Sequence, residues 1–139
     1  MKNQFISYEI ALALKEKGFD EPCFGYHFAY LKDGDVELKI EPNERTNAYF
    51  IKADAQQCCL APTYQQVVDW FRRKHRYHIN VTFEEFEGNK LEGINSVYFD
   101  IEIHRMDGGD VYKELKVMEW SDHYYVCLIK GINEALKLI

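Results

Sequence analysis

The apolar positions of this chain change period several times, and each change marks an element. From Ser7 to Gly18 the spacing is helical: Ile10, Ala11 and Leu14 recur three and four residues apart. Ser7 suits an N-cap and Gly18 a left-handed stop, with Phe5 before and Phe19 after as the apolar neighbours that anchor the ends. From Cys23 to Leu31 the period drops to two. Phe24, Tyr26, Phe28 and Tyr30 alternate with Cys23, Gly25, His27 and Ala29, which predicts a strand with four rings on one face. Asp33-Gly34 is a hairpin signal, and Val36, Leu38 and Ile40 alternate with Glu37 and Lys39 along the returning strand. The polar stretch from Pro42 to Asn47 is expected to end that strand. Residues 48–51 are expected to form a short third strand, residues 53–57 a loop, and Cys58-Cys59-Leu60 a further short strand.

The stretch from Ala61 to Arg76 carries a start signal, a core face and a charged end within one helix length. Thr63-x-x-Gln66 has the spacing of a capping box just after Pro62, and Val67, Trp70, Phe71 and Lys74 follow at helical spacing. Beyond it, Tyr77, Ile79, Val81 and Phe83 alternate with His78, Asn80, Thr82 and Glu84. Residues 85–95 are polar and contain glycine, which predicts a loop or wide hairpin. Val97, Phe99, Ile101 and Ile103 then alternate with Tyr98, Asp100, Glu102 and His104. Asp107-Gly108-Gly109-Asp110 predicts a turn, and residues 111–118 its partner strand. Ser121 is the expected cap of a last helix striped by Tyr125, Leu128, Ile129, Ile132, Ala135, Leu136 and Ile139. Tight turns favour antiparallel pairing, because parallel strands need long crossovers. The predicted architecture is therefore α+β: a mainly antiparallel, twisted sheet of about five strands with three helices packed on one face. One domain is expected to span residues 1–139.

Composition narrows the function classes. Hydrophobic residues make up 47% and charged ones 29%, a balance able to build a core without metal or disulfide staples. Ten Tyr and nine Phe make ring packing prominent. A formal net charge of -6 weighs against general affinity for nucleic acid or anionic membranes. The four cysteines, Cys23, Cys58, Cys59 and Cys127, have neither zinc nor thioredoxin-like spacing, so free thiols are expected. The N-terminus lacks a signal-peptide apolar region, and no run is long enough to span a bilayer. A cytoplasmic location is expected.

Three segments together resemble a group of small uncharacterised proteins from bacteriophages and prophage regions of Bacteroidetes-type bacteria. The first runs from Ser7-Tyr8-Glu9 through Leu12-Ala13-Leu14-Lys15-Glu16-Lys17-Gly18-Phe19-Asp20-Glu21-Pro22-Cys23-Phe24. The second is Ala61-Pro62-Thr63-Tyr64-Gln65-Gln66 leading to Asp69-Trp70-Phe71-Arg72, and the third Cys127-Leu128-Ile129-Lys130 to Ala135-Leu136-Lys137-Leu138-Ile139. Together they cover roughly half the chain; residues 32–57 and 84–118 match poorly. Ser121-Asp122-His123-Tyr124-Tyr125 departs from the acidic start that the group often has at the last helix. The resemblance implies a phage or mobile-element setting in the bacterial host cytoplasm, and it transfers no catalytic residue.

Few side chains suggest chemistry. Asp100, Glu102 and His104 share one strand face, with His78 and Asn80 on a strand nearby, and such a set could ligate a divalent cation. The wet face of any antiparallel sheet has the same pattern, and that reading is preferred. Cys58, Cys59 and five histidines are present, but no nucleophile elbow selects one for catalysis, and no Gly-rich loop cradles a phosphate. No cofactor is implied. Arg72, Arg73, Lys74, His75 and Arg76 form the one dense basic run, flanked by Phe71 and Tyr77, which could grip and stack a nucleic-acid strand. A solvated helix end, complementing the helix dipole and pairing with Asp69, also accounts for it and is preferred because the net charge opposes binding. The function expected is non-enzymatic: binding of another protein, with self-association as one form, and nucleic-acid binding through Arg72, Arg73, Lys74 and Arg76 as the alternative.

Overall fold

A computed structural model of the chain describes residues 2–30, 32–51, 58–87, 95–107, 110–111 and 123–139. Its contacts divide into two units, Met1–Val67 and Val68–Ile139, and the division falls inside a helix, Tyr64–Trp70.

In the first unit a 3-10 turn, Lys2–Gln4, precedes α1, Tyr8–Glu16. The Ser7 hydroxyl accepts the Ile10 amide at 3.5 Å, as expected of an N-cap. At the other end Gly18 takes φ 84°. There the Phe19 amide bonds back to the Leu14 carbonyl at 2.9 Å and the Gly18 amide to that of Lys15 at 3.0 Å. That pair of bonds is a Schellman cap, and it buries Phe19 and Leu14 together. Strand β1, Cys23–Ala29, pairs antiparallel with β2, Val36–Arg45, on one side and with β3, Cys58–Ala61, on the other. Gly34, at φ 69°, makes the turn of the expected hairpin.

Two expectations fail in this unit, and the burial of β1 decides a point that the alternation left open. The ring face of β1 is not its buried face: Cys23, Gly25 and His27 are buried, whereas Phe24 and Tyr30 are exposed and Tyr26 and Phe28 half-buried. The small face wins because other backbone must come close to it. A Cβ on Gly25 would lie 2.6 Å from Phe5 Cε1 and 2.8 Å from the Ala61 carbonyl oxygen. Pro42 does not end β2, which continues to Arg45. The register jumps from Gly25↔Ile40 to Cys23↔Arg45, so Pro42 sits in a bulge on the sheet's edge, where a missing amide costs no ladder bond. Residues 48–51 are not a strand. They belong to α2, Asn47–Ile51, whose start is pinned by the Asn47 amide on Asp20 Oδ1 (2.7 Å) and by Asn47 Nδ2 on the Phe19 carbonyl (2.9 Å). The predicted loop at 53–57 lies outside the described residues.

Helix α3, Tyr64–Trp70, opens with the expected capping box. Gln66 Oε1 accepts the Thr63 amide at 2.9 Å, and Thr63 Oγ1 accepts the Gln66 amide at 3.3 Å. The helix was expected to reach Arg76 in one register. Instead a π-helical turn, Phe71–His75, follows Trp70 and closes with the Arg76 amide on the Phe71 carbonyl, Arg76 itself being left-handed at φ 62°.

In the second unit β4, Tyr77–Glu87, pairs antiparallel with β5, Asn95–Asp107, which pairs in turn with β6, Asp110–Val111. Pairing runs on to Glu87↔Asn95, through residues expected to be loop, because main-chain pairing continues regardless of side-chain polarity. Helix α4, Tyr124–Leu136, begins after an N-cap at His123; the expected cap, Ser121, and the strand at 112–118 lie outside the described residues. Its buried stripe is Cys127, Leu128, Gly131, Ile132, Ala135 and Leu136, with Tyr125 exposed rather than buried. Gly131 lets the helix approach β4 and β5 closely.

The fold class is α+β with antiparallel pairing, as expected. Among the described residues the strands form two three-stranded sheets, ordered β2-β1-β3 and β4-β5-β6, rather than one, and α2 makes a fourth helix.

Candidate functional site

The first candidate set lies on the β4–β5 ladder. His78 faces His104 directly across it, Asn80 faces Glu102 and Thr82 faces Asp100, so all six occupy one half-buried face. Opposite it, Ile79, Ile101 and Ile103 are buried. Within the polar face one close pair forms: His104 Nε2 donates to Glu102 Oε2 at 3.0 Å. His104 Nδ1 has no hydrogen-bond partner among the described residues. Alternate residues of an extended strand stand roughly 7 Å apart, too far for three short side chains to converge without a bulge. Among the described residues no three of His, Cys, Asp or Glu come together to hold a metal ion. Asp100, Glu102 and His104 thus share one half-buried face of the ladder, with a single close pair among them.

The cysteines are free and buried. Burial pushes the Cys23 and Cys59 thiols up to about 12 and raises that of Cys58 as well. A nucleophile must be a thiolate, so neither Cys58 nor Cys59 is poised for attack at neutral pH.

The second candidate set, Arg72, Arg73, Lys74 and Arg76, is exposed on the π-helical turn. Arg72 Nη2 meets Asp69 Oδ1 at 2.7 Å, which is the pairing expected along the helix. Of the two flanking rings, Phe71 is fully buried and closed to stacking, whereas Tyr77 is half-buried. The π turn directs the His75 ring against Trp70, at 4.5 Å between centroids, and near Phe71 at 5.9 Å. Arg76 is a pivot through its backbone, since its carbonyl accepts the Met106 amide at 2.7 Å.

A third place went unmarked in the sequence. On the ring face of β1 the facing residues of β2 are charged, Lys39 opposite Tyr26 and Glu37 opposite Phe28. Tyr26 donates to Glu41 at 3.2 Å and Tyr30 to Glu37 at 2.6 Å, while Lys39 Nζ lies 5.2 Å from the Phe28 ring centre. Arg45 pairs with Glu41 at 2.9 Å and covers the Tyr49 ring at 4.3 Å. Rings and charges therefore interleave over β1, β2 and α2. Phe24, Tyr30 and Tyr49, between 40% and 45% exposed, are the large apolar side chains left open there; Val36 and Ile40, paired with Ala29 and Gly25, are exposed on the other face of the sheet. The alternation of Glu37, Lys39 and Glu41 was the available signal, but it reads as a solvent face until the register sets it beside the rings.

These features define a class no narrower than an α+β protein with an aromatic, charge-laced surface on its first sheet. No family model, curated protein or solved structure matches the chain. No helix among the described residues is long and apolar enough to cross a membrane.

Proposed function

We propose that this chain is a non-enzymatic accessory protein of a phage or mobile element that acts by binding another protein. The observation that carries the reading is the set of exposed rings, Phe24, Tyr30 and Tyr49, beside the charges of Glu37, Lys39, Glu41 and Arg45 on the first unit. Large apolar side chains gathered on one surface and laced with charge are the composition of recognition sites, where aromatics are enriched. The phage setting rests on the sequence resemblance alone, and a place in the host cytoplasm follows from it. The test is affinity capture from phage-infected bacteria with the native chain and with a Phe24→Ser/Tyr49→Ser variant. A partner held by the native chain and lost by the variant, with an unchanged urea midpoint, is the expected result. Equal capture by both would reject this surface.

A second reading assigns Arg72, Arg73, Lys74 and Arg76 to nucleic acid, and their joint exposure on one turn favours it. Against it stand the Asp69 pairing and the net charge of -6. Fluorescence anisotropy with single- and double-stranded DNA and RNA separates the two readings. A phosphate grip would bind at physiological salt, weaken steeply as salt rises and vanish when Arg72, Arg73 and Arg76 are changed to Glu.

A further inference from the structure

Strand β2 lies at the edge of its sheet: the order is β2-β1-β3, and no strand among the described residues pairs with its other side. An edge strand turns every second main-chain N–H and C=O outward, and such groups accept an added strand unless something blocks them. The blocking devices here are Pro42 and the bulge around it, and both fall beyond Ile40. Val36 to Ile40 keeps a regular edge, with Val36 and Ile40 exposed at 41% and 37%.

We infer that this edge of β2, from Val36 to Ile40 with Glu41 at its end, receives an extended basic segment of a partner protein as an additional strand. The inference rests on the protein-binding reading above and names its mode and the partner's chemistry.

Charge selects the occupant. Between Lys32 and Arg45 the carboxylates of Asp33, Asp35, Glu37, Glu41 and Glu44 outnumber the cations Lys32, Lys39 and Arg45. Arg45 and Glu41 offset each other as a pair, which leaves Asp33, Asp35, Glu37 and Glu44 against Lys32 and Lys39, the latter over the Phe28 ring. A second copy of β2 would bring the same surplus against itself, and like charges directly opposed destabilise a pair of strands. A foreign strand carrying Lys or Arg opposite Glu37 and Glu41 meets opposite charge instead. Side chains alternate between faces, so its intervening residues fall beside Val36, Leu38 and Ile40 and should be apolar. The recognised signature is thus alternating basic and apolar residues in extended conformation. Main-chain bonds supply affinity and the alternate side chains specificity, as in other strand-addition complexes.

The test uses the intact chain and a fluorescent synthetic peptide in which valine alternates with lysine and threonine. One control peptide replaces each lysine by glutamate; another N-methylates alternate amides, which removes donors and leaves the charge intact. Glu37→Lys and Glu41→Lys are introduced together in the protein, with the urea midpoint checked. The expected result is saturable binding that weakens by about tenfold or more with either control peptide, since several main-chain bonds or charge pairs are lost together. The double variant should weaken the lysine peptide and gain affinity for the glutamate peptide. Because the N-methylated control alters only the peptide, it remains decisive if the double variant fails to fold. Absence of binding, or binding indifferent to N-methylation, overturns strand addition. Indifference to peptide charge overturns the basic partner, and a dimer in sedimentation that peptide dissociates would assign the edge to a second copy. If strand addition fails while Phe24→Ser/Tyr49→Ser still abolishes capture of the natural partner, protein recognition stands and only its mode is lost.

Discussion

A methyl group added at Gly131 sets two effects of opposite sign against each other. In mid-helix, alanine is favoured over glycine by about 1 kcal/mol. The new Cβ would, however, lie 2.8 Å from Ile101 Cγ2 and 2.9 Å from Ile79 Cγ2. Both are branched methyls of buried residues on paired strands, with little room to move. Overpacking of that kind costs about 1–3 kcal/mol, so the clash wins and Gly131→Ala should lower the urea midpoint. A raised midpoint would mean that α4 can lift from the strands without loss. His27 is the other residue with a measurable signature. It is buried, donates from Nε2 to the Ile6 carbonyl at 2.9 Å, and meets the edge of the Tyr8 ring. Burial lowers its pKa below the ordinary 6.5, against smaller raising effects of the Ile6 carbonyl bond and Glu9. The unfolded chain therefore binds the proton first as pH falls. Stability from this group is present above about pH 6.5 and lost as pH drops toward the lowered folded value. Glu9, also lowered, titrates in a more acid window and with the same sign. Urea midpoints between about pH 7.5 and 5.5 should fall for the native chain and stay flatter for His27→Gln. Equal slopes would remove His27 as the cause.

Among the elements, α3 shows how a local signal can be right about burial and incomplete about geometry. Thr63, Gln66, Val67, Trp70 and Phe71 were legible because caps and helical spacing depend on residues a few positions apart. Val67 and Phe71 are fully buried and Trp70 nearly so. Truncating Phe71 to Ala should cost about 3–5 kcal/mol, read from urea unfolding. A midpoint unmoved by that change would take the helix out of the core. The π turn was not legible. It accompanies local packing of the Trp70, Phe71 and His75 rings and one bond distant in sequence, from the Met106 amide to the Arg76 carbonyl. Edge strand β2 makes the complementary point, since a proline that reads as a strand end is harmless where no ladder bond is required.

For the molecule as a whole, the thiols give the most direct chemical test. Cys23, Cys58, Cys59 and Cys127 are free and buried, with Cys23 and Cys59 held near 12. A thiol reagent at neutral pH should modify these four slowly in the native chain and completely in denaturant. Rapid native labelling of Cys59 would show that β3 opens readily. By itself the sequence determined the α+β class, both helix-capping patterns, the β1–β2 hairpin and the strands around Ile79 and Ile101. Each of those signals is a spacing, complete within one segment. It also marked Arg72 to Arg76 as an exposed run, because charge density needs no fold to be seen. Only the tertiary structure decided which face of β1 is buried, since alternation is symmetrical between faces until Phe5 and Ala61 claim the glycine side. Only pairing decided that the strands divide into two sheets and that Glu37 and Glu41 lie among the rings. Both depend on partners distant along the chain, and a period counted within one segment carries no record of them.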